Sequence, residues 1–372
     1  MKNARYIMIG GFLGAGKTTS VARLAQALTA QGLKVGLITN DQGSELVDTA
    51  MLRSKGFATE EIPGGCFCCR FNSLVEAAEK LTWATVPDVF IAEPVGSCTD
   101  LVATVTYPLR RIYGNQFTVA PLTVLVDPIR ALRILGLEEG GSFSDKVKYI
   151  YLKQIEEADL IVINKADLLD PARLATLRDA INRKYPDKEV LVVSARTGSG
   201  VQEWFDRVSQ ATQPDGDSMP VDYAVYADGE ALLGWMNCTV KLSASNPFDG
   251  NKVLRDLAAN IQARLNQIRA EVAHLKMTLS PDQGLGDLAV VNLVRNDFIP
   301  ELSLELAGPI ESGQLIINAR AEAAPLDIHR VVTAGLAELD RSHPGLQAQM
   351  EHEEHFRPGK PQPTHRLAGF NA

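Results

Sequence analysis

Residues 11–18 read Gly11-Phe12-Leu13-Gly14-Ala15-Gly16-Lys17-Thr18, a glycine-rich loop closed by a lysine and a hydroxyl. Glycines let such a loop wind so that successive backbone N–H groups point inward at phosphate oxygens, and a helix starting there adds its positive end. Lys17 would reach the β- and γ-phosphates and the Thr18 hydroxyl would hold Mg2+, with Gly11, Gly14, Ala15, Gly16 and Thr19 completing the cradle. Further on stands Asn164-Lys165-Ala166-Asp167. The Asp167 carboxylate can accept from two donors on the Watson–Crick edge of guanine; adenine lacks that pair and would leave a desolvated charge unsatisfied. Ser194-Ala195-Arg196 closes the next apolar run and suits the other side of the base. Guanine is the expected base, and GTP the expected nucleotide.

A different chemistry is written in Cys66-Phe67-Cys68-Cys69. Thiolates are soft ligands for Zn2+, Cu+ and related ions, and Cys-x-Cys brings two sulfurs within chelating reach. Gly64 and Gly65 supply the bend before them. Three thiols fall short of a closed four-ligand site, so the fourth position is left to Asp41, Glu45, water or a partner. A redox-active dithiol and a silent cysteine cluster are the competing readings. Cys98 and Cys238 stand apart and are expected to be buried small residues. His352 and His355 could share one helical face as a second metal point, but a solvated segment is the expectation for that charged, proline-flanked stretch. The following Phe356-Arg357-Pro358-Gly359-Lys360-Pro361 is suited to dock on another protein or on the chain's own nucleotide domain. His274 and His329 are expected to be structural.

The elements that must position these groups follow from the apolar runs at 6–10, 34–40, 89–93, 122–127, 160–164 and 190–194. They alternate with helix-like stretches, as parallel strands with helical crossovers do. The runs are nearly continuously apolar, so helices should cover both sheet faces and ligands should lie at the carboxyl ends of the strands. Residues 210–220 carry Pro214, Gly216 and Pro220 among polar residues and mark a domain boundary. Beyond it, strands expected at 231–243, 271–279, 288–295 and 313–320, with helices at 250–269 and 326–339, make a small α+β domain with a mostly antiparallel sheet. From His343 on, prolines and charges leave little core-forming content. The expected architecture is therefore an α/β P-loop NTPase domain at 1–210, a smaller C-terminal α+β domain at 221–341 and a flexible tail at 342–372.

At 372 residues with 45% apolar and 22% charged residues, the chain is globular in composition and long for one domain. Its net charge of −8 argues against nonspecific attraction to nucleic acid or an anionic membrane surface. Its five cysteines, three of them clustered, do not resemble the disulfide framework of a secreted scaffold. Without a signal peptide or an 18-residue apolar span, a soluble cytoplasmic protein is expected.

The loop from Gly11, the Gly65-Cys66-Phe67-Cys68-Cys69 motif, Glu93-Pro94-Val95-Gly96 and Asn164–Asp167, in this order, resemble the CobW subgroup of the CobW/HypB/UreG GTPases across residues 5–205. The resemblance implies a GTPase concerned with metal insertion or metallo-cofactor assembly, serving a client metalloenzyme or cofactor-assembly protein and often working as a nucleotide-dependent dimer. It implies that Glu93 coordinates Mg2+ directly or through water, and that Gly96 lets the next segment approach the γ-phosphate. Asp41 falls at the family's Asn-Glu or Asn-Asp position and is the candidate for organising water, Mg2+ or the carried metal. Gln42-Gly43-Ser44-Glu45 departs from the family's usual Phe-Gly-Glu, which leaves Glu45 unassigned. Asp127 is a third strand-end carboxylate, near the phosphates or simply supporting the strand end. With Lys17, Asp41 and Glu93 as catalytic candidates, no Ras-type glutamine and no identifiable arginine finger, intrinsic hydrolysis should be slow. The leading expectation is a GTP-dependent metallochaperone, with Zn2+ ahead of Co2+ and Ni2+. A GTPase that gates loading of a finished cofactor such as a corrinoid, and a P-loop small-molecule kinase, are the alternatives.

Overall fold

The computed structural model describes residues 3–40, 47–283 and 287–370; Asp41 and Glu45 lie outside them. Two compact units result, one of Met1–Gln42, Gly56–Gly229 and Lys360–Ala372, the other of Gly43–Lys55 and Glu230–Gly359. In chain order the elements begin β1 (Ala4–Gly11), α1 (Lys17–Ala30), β2 (Val35–Asn40), α2 (Val47–Ser54), β3 (Ala58–Ile62), α3 (Phe71–Thr85) and β4 (Val89–Glu93). A π-helical turn at Val102–Thr106 runs into α4 (Tyr107–Tyr113), then β5 (Phe117–Val119), β6 (Thr123–Val126), α5 (Pro128–Ile134), α6 (Asp145–Glu157) and β7 (Leu160–Ile163). There follow α7 (Pro171–Lys184), β8 (Glu189–Val192), α8 (Val201–Gln210), β9 (Gly216–Asp217) and α9 (Tyr223–Leu232), within which the division between the units falls.

In the first unit the sheet order is β3-β2-β4-β1-β6-β7-β8, with β5 also beside β1, and the pairings are parallel. The expected parallel sheet is thus present, with β1 in its interior and β2, β4, β6 and β7 buried along their whole length. Such strands need apolar residues on both faces, which is why their sequences lack alternation. Trp204 of α8 is fully buried, its indole N–H donating to Thr123 Oγ1 at 3.1 Å. Local signals set the helix starts: Asp127 and Asp170 accept from backbone N–H groups of the first turns of α5 and α7, each followed by proline. At α1 the capping position is Gly16, in the left-handed region with no side-chain cap, so the first-turn N–H groups remain available to an anion.

The second unit holds β10 (Leu233–Phe248), α10 (Gly250–Gln267), β11 (Glu271–Pro281), β12 (Ala289–Leu293), β13 (Glu301–Leu304), β14 (Ile310–Glu322), α11 (Pro325–Ala337), α12 (Leu339–Ser342) and β15 (Leu346–Phe356). Its strands are ordered β13-β12-β11-β14-β10-β15 with antiparallel pairings. Met236, Cys238, Val240 and Leu242 alternate along β10 and bury their side chains with Val253, Leu257 and Ile261, which lie on one face of α10. Helix α2, separated from this sheet in sequence, packs on β11 and β14. Among the described residues no helix is long and apolar enough to cross a membrane.

Within the stretch expected as a flexible tail at 342–372, Leu346–Phe356 and Gly369–Phe370 form strands. β15 pairs with β10 from Trp235↔Phe356 to Ala244↔Leu346. β16 (Gly369–Phe370) pairs with β9. Only Leu346 and Met350 of β15 pack on the core, while most of its other side chains are exposed. An edge strand bonds one neighbour and is blunted by charge, so it carries little apolar signal. The strand also overturns the helical reading of His352 and His355, because odd spacing along a strand sends them to opposite faces. His355 instead lies against His329, ring centroids 4.7 Å apart, and His329 Nε2 is 3.0 Å from Glu353 Oε2. Phe356 stacks on Trp235 at 5.8 Å, and Arg357 donates to the Ala231 carbonyl.

Hydrogen exchange reads this directly. Backbone amides of Leu346–Phe356 are expected to exchange far more slowly than those of an unstructured peptide; exchange at the unstructured rate throughout the segment would remove β15 from the sheet.

Candidate nucleotide and thiol site

The parallel sheet delivers the expected nucleotide residues to its carboxyl edge. The phosphate loop leaves β1, Glu93 ends β4, Asp127 follows β6, Asn164 follows β7, and Ser194 lies two residues beyond β8. Lys17 is buried, its Nζ donating to the carbonyls of Gly11 at 3.0 Å and Phe12 at 3.5 Å. Those are the positions from which an ammonium can transfer to phosphate oxygens. Thr18 Oγ1 donates to Glu93 Oε1 at 3.0 Å, and both residues are buried. A hydroxyl and a carboxylate meeting beside a phosphate loop are the donor set of a hard divalent ion, so these residues fit Mg2+. Thr19 is exposed beside them.

Asn164 links the phosphate loop to the base-side loop: its Nδ2 donates to Ala15 O at 2.9 Å and its Oδ1 accepts from Ala195 N at 2.9 Å. Close packing demands glycine here, since a Cβ on Gly16 would sit 2.5 Å from Asn164 Nδ2 on a backbone already at φ +94°. Ser194 Oγ donates to Asp167 Oδ1 at 2.6 Å, aiming an exposed carboxylate while leaving its second oxygen for a base. Lys165 Nζ reaches Gly14 O at 2.6 Å and Asp127 Oδ2 at 2.9 Å. Asp127 also caps α5 through Arg130 N at 3.0 Å, so it is engaged in holding the loop and the helix start. Arg196 is exposed at the rim.

The thiols converge. Cys66 Sγ lies 2.7 Å from Cys68 Sγ and 3.2 Å from Cys69 Sγ, with Cys68 and Cys69 sulfurs 3.7 Å apart. A tetrahedral thiolate site with bonds of about 2.3 Å spaces its sulfurs about 3.8 Å apart, so modest spreading admits a soft ion. A tight turn builds the cluster: the N–H groups of Cys69 and Arg70 both donate to Cys66 O, at 3.0 and 2.9 Å, just before α3. Asn40 Nδ2, at the end of β2, donates to Ile62 O at 2.9 Å and Gly65 O at 2.6 Å and so fixes the loop's approach. Hydrogen bonding with Cys68, then with Cys69 and Cys98, holds the Cys66 thiol well below its usual range. Giving its hydrogen bond to Cys66 raises the Cys68 thiol well above that range, and the same partner pushes Cys69 up to about 11. The thiols are thus pulled in opposite directions, Cys66 down and its two neighbours up, and a bound ion would replace their protons.

Several contributors were not legible beforehand. Cys98, expected to be a buried small residue, is buried and also contributes to the lowering of the Cys66 thiol. The C-terminal segment clips the thiol loop: Gln362 N donates to Cys69 Sγ at 3.2 Å, and Thr364 donates from N to Cys68 O at 2.9 Å and from Oγ1 to Cys69 O at 3.2 Å. Its anchor is Arg366, whose Nε donates to Asp100 Oδ2 at 2.7 Å, an oxygen that also accepts from Tyr223 OH at 2.6 Å. Burial raises the Asp100 pKa against these partners, so the carboxylate depends on them for its charge.

Residues 5–192 match the CobW/HypB/UreG nucleotide-binding domain. The chain is 30% identical over 209 residues to the zinc chaperone CobW of a Sinorhizobium species, covering 50% of this chain and 57% of that one. It is 27% identical over 213 residues to the zinc-regulated GTPase metalloprotein activator 1 of Dictyostelium discoideum, covering 50% of this chain and 44% of that one. The match therefore spans about half the length of each relative. Among solved structures, HypB from Helicobacter pylori in complex with nickel aligns with 55% of this chain and 85% of its own, at 17% identity and a TM-score of 0.40.

Two substitutions test the geometry. Asp167→Asn should weaken GTP binding and shift preference toward xanthosine triphosphate, because the amide offers a donor where guanine also has one and xanthine has an oxygen; unchanged preference in a competition assay would sink the base assignment. Arg366→Ala should release the C-terminal clip and speed modification of Cys69 by a disulfide reagent several-fold in metal-free protein, with Arg366→Lys intermediate. Equal rates in all three proteins would mean that the segment does not shield the thiols.

Proposed function

The chain belongs to the CobW/HypB/UreG family, and we propose that it is a GTP-hydrolysing carrier of a transition-metal ion, Zn2+ first, bound by Cys66, Cys68 and Cys69. The observation that carries this reading is the convergence of three sulfurs, their ligand atoms all within 4.8 Å of one another, in the same unit as the Thr18–Glu93 pair. Soft sulfurs select a late transition metal while the oxygen pair suits Mg2+, so the two ions would sort themselves by chemistry. The names of the relatives support the zinc assignment.

In hydrolysis the loop N–H groups and Lys17 would bind the phosphates and stabilise the charge that develops as water attacks. Thr18 and Glu93 would hold Mg2+, which supplies charge neutralisation at the phosphates. Asp167, aimed by Ser194, favours guanine and speaks against a small-molecule kinase using ATP. A client metalloprotein or cofactor-assembly protein would receive the metal, and such a partner or a second copy of the chain would accelerate an otherwise slow turnover.

Cys68→Ser tests the carrier reading. Competition with a chromophoric chelator should show zinc affinity in the GTP-analogue state falling by more than the roughly 10–100-fold typical of losing an outer supporting group. Nucleotide affinity without metal should be unchanged. Equal zinc affinity for wild type and variant would show that the cluster is not the carrier site.

A further inference from the structure

Helix α6 carries a row of buried side chains, Tyr151, Gln154 and Glu157, each three residues from the next. Residues three apart share a helix face, so the row presents one surface. Its first member touches the phosphate loop, the Tyr151 ring meeting Phe12 edge-on with centroids 5.6 Å apart. Its last receives the chain that leaves β4: Thr99 Oγ1 donates to Glu157 Oε1 at 3.2 Å and Val102 N to Glu157 Oε2 at 3.3 Å. Between them Gln154 Nε2 donates to Gly96 O at 2.9 Å and Cys98 O at 2.8 Å. Two carbonyls facing one amide require its N–H groups, which fixes the orientation of the amide. Gln154 Oε1 is thereby left buried, accepting no hydrogen bond among the described residues. Buried polar atoms are nearly always paired, so an amide placed for packing alone would not sit this way.

What the two N–H groups hold is the loop that reaches the phosphates. A Cβ on Gly96 would lie 2.9 Å from the Leu13 backbone nitrogen, so the Gly96 backbone is seated against the phosphate loop with no side chain between them. Cys98 N donates to Val95 O at 3.0 Å and closes the turn on itself. Backbone groups that stabilise developing charge work best when they are already in place, with no rearrangement needed at the moment of reaction.

We propose that Gln154 is a positioning residue for GTP hydrolysis, fixing the Gly96–Cys98 backbone where it meets the γ-phosphate. The inference deepens the GTPase reading and rests on it. Gln154 acts through the loop rather than on the nucleotide. One rigid helix seats both the phosphate loop, through Tyr151, and the Gly96 loop, through Gln154, and so sets the distance between them.

Single-turnover hydrolysis of GTP by the full-length protein, with affinities for GDP and a GTP analogue measured alongside, tests this role. Gln154→Met keeps the length of the side chain and removes both N–H groups. Hydrolysis should slow by roughly 10–100-fold, the size of effect that a small misplacement of the reacting geometry produces. Preference for the analogue over GDP should shrink while GDP affinity keeps its wild-type value, because GDP has no γ-phosphate to meet the loop. Gln154→Asn retains an amide one methylene too short and should fall between; it carries the test if the methionine variant does not fold. Wild-type hydrolysis in both variants, or an equal loss of GDP and analogue affinity with the rate intact, would overturn the role and leave the GTPase reading standing. Failure of the wild type to hydrolyse GTP would overturn that reading and the role of Gln154 together.

Discussion

The hydrogen bond from Thr18 Oγ1 to Glu93 Oε1, 3.0 Å long between buried residues, joins the first turn of α1 to the end of β4. Its position follows from parallel pairing of β1 and β4, which brings the loop after one strand beside the last residue of the other. Neither group can leave without a replacement, because a buried carboxylate or hydroxyl stripped of its partner costs about 1–3 kcal/mol or more. A hard cation is the natural replacement. From Glu93 the chain continues through Gly96, packed on Leu13, to Cys98, and the Gln154 amide donates to the carbonyls of both Gly96 and Cys98. The oxygen pair and the phosphate loop therefore belong to one stretch of connected structure, in the same unit as the thiol cluster.

That continuity gives physical content to coupling between nucleotide and metal. A γ-phosphate and its cation would act on the Gly96 loop, and a soft metal would act on the turn that carries Cys66, Cys68 and Cys69. If both are best satisfied by the same loop position, each ligand tightens the other by an equal factor. The C-terminal segment is held by the next part of the same run, through Asp100, and reaches back to Cys68 and Cys69. Shielding of the thiols and the position of the nucleotide-side loop thus share an anchor.

Much of the first unit was legible because its motifs are demanded by backbone geometry. Gly16 cannot carry a side chain beside Asn164, and the fully apolar strand Leu160–Ile163 has no place outside a covered sheet. The three-cysteine cluster was legible because its members are adjacent in sequence. β15 was missed because an edge strand needs few apolar residues, and Arg366 because its partner Asp100 lies far away in sequence. The spacing of His352 and His355 left one helical face open as a possibility, and the strand removes it: three residues mean one face on a helix and opposite faces on a strand.

The central claim is that nucleotide and metal are bound by one coupled site. The most direct measurement is the affinity of a non-hydrolysable GTP analogue and of GDP for metal-free and for zinc-loaded protein, by titration calorimetry. Coupling of the usual size predicts that zinc tightens the analogue by roughly 5–150-fold, by the same factor as the analogue tightens zinc, and affects GDP much less. Identical analogue affinities with and without zinc would mean that the two sites are neighbours without being linked.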